Sequence, residues 1–171
     1  MSSYKLHDLN QMSEEDFIKS LAWIFEDSPW VASSVSAERP FSSREALTTA
    51  MCASVEAAGD EVKRKLIIAH PDLGTRATMA DASVKEQQGA GLSSLSPSEY
   101  QELIQLNERY KAKFHFPFIL AVKGKTKADI FASLRERLDN DVAKEFTRAL
   151  GEIYQIARFR LGDAVLEDTR A

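Results

Sequence analysis

The sequence contains few of the residues that build disulfides, flexible linkers and membrane spans. Its 171 residues include a single cysteine, Cys52, with seven glycines and five prolines. One cysteine can form no internal disulfide and suits a reducing compartment, so we expect a cytoplasmic protein. No N-terminal stretch joins a basic start to an apolar run, and no apolar run approaches the length of a bilayer. We therefore expect neither a secreted nor a membrane protein.

An excess of positive charge is also missing. Lys and Arg number 22 against 26 Asp and Glu, a formal charge of -4, and the basic residues are scattered between acids. This balance argues against nucleic acid and anionic membranes as partners. There is no glycine-rich phosphate loop and no activated-serine motif, and His115 has no partner at a metal-ligand spacing. We expect no metal site.

The apolar residues recur at helical spacing and predict an all-α fold. Helix starts are predicted near Ser13, Trp30, Ser42, Asp60, Ser83, Ser96, Thr126 and Asp141, and the segment near the N-terminus that contains His7 and Asp8 is expected to fray. Residues 116–122 are the only strand-like run. Because one strand makes no sheet, a buried helical or extended segment is expected there. The sequence predicts a compact single-domain bundle of about seven to eight helices over residues 1–171.

His70 is the first candidate for proton chemistry. Pro71 disfavours helical backbone at the residue before it, so His70 should lie at or just past the C-terminus of a helix. Histidine titrates near neutral pH, which suits a general acid or base. The structural alternative is a helix-end histidine that hydrogen-bonds the last carbonyls, and His70 taken alone favours it.

Glu86 and Gln87 follow in a short predicted helix. The pattern Ser83-x-x-Glu86 is typical of a capping box, in which the glutamate needs no catalytic role. In that interpretation Gln87 and Gln88 are solvated, and the glycines 89 and 91 only end the helix.

Arg160 lies on an apolar helix face. At a hundred degrees per residue it falls at the centre of a stripe formed by Val142, Phe146, Leu150, Ile153, Ile156 and Ala157. An arginine there is costly unless it finds an anion. The anion can be a ligand or the partner of a buried structural ion pair, and a snorkelling side chain is a third possibility. Arg39, in a connector, has the same ambiguity.

Several motifs occur together in a fixed order. They are His70-Pro71-Asp72-Leu73-Gly74, Ser83-x-x-Glu86-Gln87, Gly89-Ala90-Gly91-Leu92, Leu106-Asn107-x-x-Tyr110-x-x-Lys113-Phe114, Phe116-Pro117-Phe118-Ile119 and Ile156-Ala157-x-x-Arg160-Leu161, preceded by Arg39-Pro40-Phe41. The set resembles the OHCU decarboxylases, which act on 2-oxo-4-hydroxy-4-carboxy-5-ureidoimidazoline (OHCU) in urate breakdown.

The resemblance implies an all-α homodimer that needs no cofactor and converts this small-molecule ureidoimidazoline to (S)-allantoin. It also suggests functional coupling with urate oxidase and hydroxyisourate hydrolase. By motif position it implies catalytic roles for His70, Glu86 and Arg160. The implied substrate-binding residues are Pro71, Gln87, Phe116, Phe118 and Ile119.

Two positions depart from the family pattern. The family often has Leu-Ala-Gly after His-Pro-Asp, where this chain has Leu73-Gly74-Thr75, so the loop up to Asp81 is expected to differ. A glycine commonly precedes Phe-Pro-Phe, where this chain has His115. If the backbone near that point lines the pocket, His115 would narrow it or add a donor.

Two other interpretations stay open. A His-Pro-Asp tripeptide after a basic helix also marks J-domain co-chaperones, which dock a chaperone ATPase. Such domains are much shorter, and here acidic Glu86 and two glycines follow the tripeptide. The other is a cofactor-free lyase or hydrolase that acts on a different ureide.

Overall fold

The computed structural model of the protein describes residues 2–74 and 81–168, without the side chains of 81–83. Over these residues it contains nine α-helices and two short strands. The helices are α1 (Leu6–Gln11), α2 (Glu14–Leu21), α3 (Trp30–Val35), α4 (Arg44–Ala57), α5 (Asp60–Ile68), α6 (Asp81–Gly89), α7 (Pro97–Phe114), α8 (Lys127–Arg137) and α9 (Val142–Ala164), and the strands are β1 (Tyr4–Lys5) and β2 (Val165–Leu166). The predicted all-α fold is confirmed, with slightly more helices than expected. In the part of the chain that the structure describes, no helix is long and apolar enough to span a bilayer.

Side-chain caps place several helix starts where the sequence predicts them. The Ser13 hydroxyl accepts a 3.1 Å hydrogen bond from the Asp16 amide at the start of α2. A complete capping box joins Ser96 and Glu99 at α7. These bonds satisfy amides that have no partner inside the helix, which is why local sequence marks them.

Residues 4–11 form a strand and a helix, so the expected fraying around His7 and Asp8 is wrong. Strand β1 pairs in parallel with β2, with Tyr4 opposite Val165. In α1, which follows directly, the side chains of Leu6 and Leu9 are buried. The pairing joins residues more than 150 positions apart, and no local pattern could predict it.

The apolar run 116–122 forms neither helix nor strand, and all seven of its residues are buried. The expected burial is therefore confirmed. Helix α7 ends before the run at His115, whose φ of 61° is left-handed.

The described residues divide into two compact units. One comprises the described parts of 1–66 and 154–171, in which α3 packs on α2 and α4. Its core is formed mainly by Phe17, Leu21, Val31, Val35, Leu47, Met51 and Val55. The other comprises the described parts of 67–153, where α7 packs on α8. Its core is formed mainly by Leu103, Tyr110, Phe114, Phe116, Phe118, Ile130 and Leu134.

Candidate functional site

His70 lies two residues past the end of α5, as Pro71 predicts. Its backbone amide donates a 3.1 Å hydrogen bond to the Ile67 carbonyl, which continues the helical turn. The residue is only 8% exposed. The residue is therefore buried on a defined backbone, which is compatible both with proton transfer and with a structural helix-end role.

The segment after His70 is held by contacts with three side chains. Asn107 Nδ2 donates to the Leu73 carbonyl at 3.0 Å, and the Gly74 amide donates to Gln87 Oε1 at 2.9 Å. Lys111 Nζ lies 2.5 Å from Asp72 Oδ2. The first two partners are buried, so their bonds fix the path of the chain more firmly than the exposed lysine does.

Gly74 lies at the position where this chain departs from the Leu-Ala-Gly pattern of the family. Its φ is +71°, and a Cβ atom built there would lie 2.3 Å from Leu103 Cδ2. The positive φ favours glycine, and a larger side chain there would also have to displace Leu103 Cδ2. The expected difference in the following loop falls mostly on residues 75–80, which lie outside the described residues.

Gln87 is buried, so its interpretation as a solvated residue is wrong, whereas Gln88 is exposed as expected. Helix α6 begins at Asp81, two residues before Ser83, so Ser83 is not the N-cap of the predicted capping box. The bond from the Gly74 amide directs the carboxamide oxygen of Gln87 toward the His70–Gly74 backbone. Glu86, its neighbour, is partly exposed.

A cavity of about 490 Å³ lies beside this turn and is lined by Gly74, Val84, Gln87, Leu92 and Tyr100, among others. Its size suits a small organic molecule. Among the described residues, its lining includes Gln87 but neither His70 nor Glu86. Gln87 therefore both lines the cavity and accepts a hydrogen bond from Gly74. The sequence did not predict this bond.

The predicted substrate-binding residues after α7 are core residues. Phe116, Phe118 and Ile119 are each no more than 2% exposed, and both phenylalanine rings contact the Tyr110 ring. Pro71 is partly exposed. Since the three residues are almost entirely buried, their contact with a ligand stays a prediction.

Arg160 forms an ion pair with Glu26. Its Nη2 lies 3.1 Å from Glu26 Oε2, and its Nη1 donates to the Trp23 carbonyl at 3.0 Å. Arg160 and Glu26 are each 3% exposed. The structural ion pair, one of the interpretations of the apolar stripe, is therefore present. The stripe is confirmed at Leu150, Ile153, Ile156 and Ala157, which are buried, whereas Phe146 is partly exposed and Val142 is 46% exposed. A role of Arg160 toward substrate stays a prediction.

Arg39 and Cys52 also have structural surroundings. Arg39 Nη1 donates to the Met12 carbonyl at 2.6 Å, and its guanidinium lies 4.6 Å from the Phe17 ring centroid. Burial raises the pKa of the Cys52 thiol to about 11, so the thiol stays protonated and is a poor nucleophile near neutral pH. Within residues 2–74 and 81–168, no group of three His, Cys, Asp or Glu side chains could hold a metal ion.

Sequence reasoning missed the role of Asn107. The residue lies on the apolar face of α7 with Leu103, Tyr110 and Phe114, and all four are buried. A polar side chain on such a face needs a hydrogen-bond partner. That signal was available, but its partner, Leu73, lies 34 residues away.

Known proteins with similar sequences show the family of this chain. Residues 10–162 match the family model described as OHCU decarboxylase. The chain is 42% identical to the 2-oxo-4-hydroxy-4-carboxy-5-ureidoimidazoline decarboxylase of Halalkalicoccus jeotgali, over 94% of this chain and 92% of that protein. It is 51% identical to a uric acid degradation bifunctional protein of Bacillus subtilis, over 96% of this chain. It spans about a third of the length of that protein and of a second bifunctional relative from Bacillus.

Two solved structures have a similar fold. The crystal structure of an (S)-allantoin synthase superposes with a TM-score of 0.78 at 28% identity, covering 97% of this chain and 54% of that one. An OHCU decarboxylase crystallised in the presence of (S)-allantoin gives a TM-score of 0.69 at 28% identity, covering 89% of this chain and 97% of that one.

Proposed function

Because this chain belongs to the OHCU decarboxylase family, we propose that it decarboxylates 2-oxo-4-hydroxy-4-carboxy-5-ureidoimidazoline to (S)-allantoin in urate degradation. The observation that carries the proposal is the 42% identity to a decarboxylase of this name along nearly the full length of both chains. Family membership decides against the co-chaperone interpretation of His70-Pro71-Asp72.

The reaction places modest demands on the protein. The bond between the ring carbon and its carboxylate breaks, carbon dioxide leaves, and the electron pair moves into the ring imine of the substrate. A proton then adds to the resulting carbanion. Since the substrate itself accepts the electrons, the reaction needs no Schiff base or thiamine, and the enzyme has to orient the substrate and manage the proton.

His70 is the proposed general acid or base. Its burial and its fixed position after α5 support this role, since a proton-transfer group must be held within hydrogen-bond reach of the reacting atom. It would act on the C4 hydroxyl or deliver the proton to one face of the carbanion.

Glu86 and Gln87 are proposed to bind the ureido and ring nitrogens. For Gln87, its place in the cavity lining and its bond to Gly74 support contact with a ligand near His70. For Glu86 the support is its motif position and its partial exposure. Pro71 and the backbone of Phe116, Phe118 and Ile119 are proposed to complete the binding site by the same resemblance.

Arg160 is proposed to contribute its planar guanidinium to an anionic or carbonyl group of the substrate. Family position alone supports this role, because the guanidinium also binds Glu26. An Arg160→Lys variant should raise the KM for OHCU. An unchanged KM would leave Arg160 with its structural ion pair only.

The assay for the reaction generates OHCU in place from urate with urate oxidase and hydroxyisourate hydrolase. Allantoin formation is then followed by circular dichroism. We expect rapid formation of one enantiomer, and a loss of about 10²–10⁴-fold in kcat with His70→Asn. The matched control is His7→Asn, the same change at an exposed histidine of α1. Wild-type protein that does not outpace spontaneous decay would refute the function, and full activity of His70→Asn would refute the role of His70.

Four further properties belong to the proposal. We infer a homodimer from the family resemblance, to be tested by sedimentation equilibrium. The lone Cys52 supports a cytoplasmic location. The continuous family match over residues 10–162 supports a single catalytic domain, and coupling with urate oxidase and hydroxyisourate hydrolase can be tested by co-purification of the three enzymes.

A further inference from the structure

The backbone of segment 116–122 must find hydrogen-bond partners outside helices and strands. The Ile119 carbonyl accepts a 2.6 Å bond from Arg137 Nη1, and the Ala121 amide donates a 2.8 Å bond to Glu152 Oε2. Arg137 is 3% exposed and Glu152 is 9% exposed. Buried side chains from α8 and α9 therefore set the course of this segment.

Arg137 contacts two residues of the segment with one rigid group. While Nη1 binds Ile119, the guanidinium carbon lies 4.4 Å from the centroid of the Phe118 ring. The other edge of the guanidinium faces Glu145, with Nε 2.6 Å and Nη2 2.5 Å from the same carboxylate oxygen. The planar fork thus ties Phe118 and Ile119 to α9, a geometry that the single ammonium of a lysine cannot reproduce.

Glu145 is fully buried and accepts two further hydrogen bonds. The Tyr110 hydroxyl donates to its Oε1 at 2.5 Å, and Asn140 Nδ2 donates to its Oε2 at 2.9 Å. Burial, and then the bond to Glu145, raise the pKa of the Tyr110 hydroxyl, which stays a donor at any ordinary pH. The Tyr110 ring in turn lies 5.3 Å from the Phe118 ring.

The network fixes geometry as well as pairing charges. A buried ion pair often contributes no more stability than well-packed apolar side chains of the same volume, but it fixes directions that apolar contacts leave free. Here the fixed direction is that of the Ile119 carbonyl, and hence of the peptide plane that joins Ile119 to Leu120.

We propose that Arg137, Glu145 and Tyr110 are positioning residues that set the backbone of Phe118 and Ile119 for substrate binding. The proposal rests on the proposed function, in which this segment lines the OHCU site. Phe118 and Ile119 are buried as whole residues, so we assign to substrate those peptide groups of the segment that the network orients and does not itself bind. The network holds these groups in one orientation before substrate arrives, which lowers the ordering cost of binding.

The primary test compares Arg137→Lys with Arg135→Lys, the same change at an exposed site of α8. We expect Arg137→Lys to raise the KM for OHCU about tenfold with kcat changed less than about threefold, because misplaced binding groups weaken substrate contacts. Arg135→Lys should change neither constant. A purely structural role would lower the amount of folded enzyme and thus the apparent kcat, while the molecules that remain folded kept a normal KM. A KM within twofold of the wild-type value would overturn the proposal.

Tyr110→Phe provides a milder test should Arg137→Lys not fold. It removes one donor to Glu145 and keeps the ring, so we expect a KM increase of about threefold. An unchanged KM for this variant would likewise overturn the proposal.

Amide hydrogen exchange of residues 118–122, measured by NMR without substrate, separates this proposal from the proposed function. Exchange there should accelerate in Arg137→Lys and in Tyr110→Phe, and stay as in wild type in Arg135→Lys. Accelerated exchange in a protein without decarboxylase activity would refute the function and leave the network as a device that orders the segment. Normal exchange in both network variants would refute the positioning role whatever the activity.

Discussion

Replacing Gly74 with alanine should destabilise the protein through two separable effects. The first is backbone strain, because a left-handed residue with a Cβ costs about 1–2 kcal/mol. The second is steric, because the new Cβ would lie 2.3 Å from Leu103 Cδ2. Leu103 is 1% exposed and cannot swing into solvent, so overpacking adds about 1–3 kcal/mol. The free energy of unfolding should fall by about 2–5 kcal/mol in total.

A matched variant isolates the steric part. Gly124 has a similar φ of +79°, but a Cβ there would meet nothing within 4 Å. Gly124→Ala should therefore show the backbone cost alone, about 1–2 kcal/mol. Urea unfolding followed by far-ultraviolet circular dichroism measures both, provided that the m-value is unchanged.

A double-mutant cycle then tests the identity of the clashing atom. Leu103→Ala is destabilising by itself, but it removes the δ-carbons that the new Cβ at position 74 would strike. Gly74→Ala in the Leu103→Ala background should cost no more than Gly124→Ala, a coupling of about 1–3 kcal/mol. The reasoning would be refuted if Gly74→Ala cost the same as Gly124→Ala, or if the two changes at 74 and 103 were additive.

Three further predictions follow from strained and buried groups. His115 ends α7 at a φ of 61° with an exposed side chain, so His115→Gly should raise the free energy of unfolding by about 1 kcal/mol, and a lower melting temperature would contradict this. Glu26→Ala leaves the buried Arg160 guanidinium without its carboxylate and should cost about 3–5 kcal/mol in urea unfolding, whereas a cost below about 1 kcal/mol would show that the pair is not structural. The pKa of the Cys52 thiol is raised to about 11 in the folded protein, so the free energy of unfolding should be unaffected by this group below pH 9 and should fall as the pH rises toward 11. Cys52→Ser should reduce this fall in stability. The same pH dependence of stability in wild type and variant would contradict the prediction.

Local signals in the sequence were enough for the helices and for the place of His70. A cap such as Ser96 with Glu99 acts within one turn, and the restriction by Pro71 acts on the adjacent residue. The apolar stripe of α9 follows from side-chain spacing along one helix, and it correctly places Arg160 among buried residues. Each of these inferences depends on residues within a few positions of each other.

The partners of the buried polar groups were decided by tertiary structure. Arg160 and Glu26 are 134 residues apart, and nothing near Glu26 marks it as the acid that the stripe requires. The same holds for Asn107, whose need for a partner was visible but whose bond to Leu73 was not. The sequence showed that these groups needed partners; the path of the chain determined which ones they have.

The sequence by itself thus determined the all-α class, the main helix starts and, through resemblance, the family. The fold alone decided that Gln87 is buried against Gly74, that the 116–122 segment is held by Arg137, and that Tyr4 and Lys5 pair with residues 165–166. Helix formation depends on neighbours along the chain, whereas the satisfaction of a buried charge or amide depends on which distant backbone or side chain the packed core brings to it.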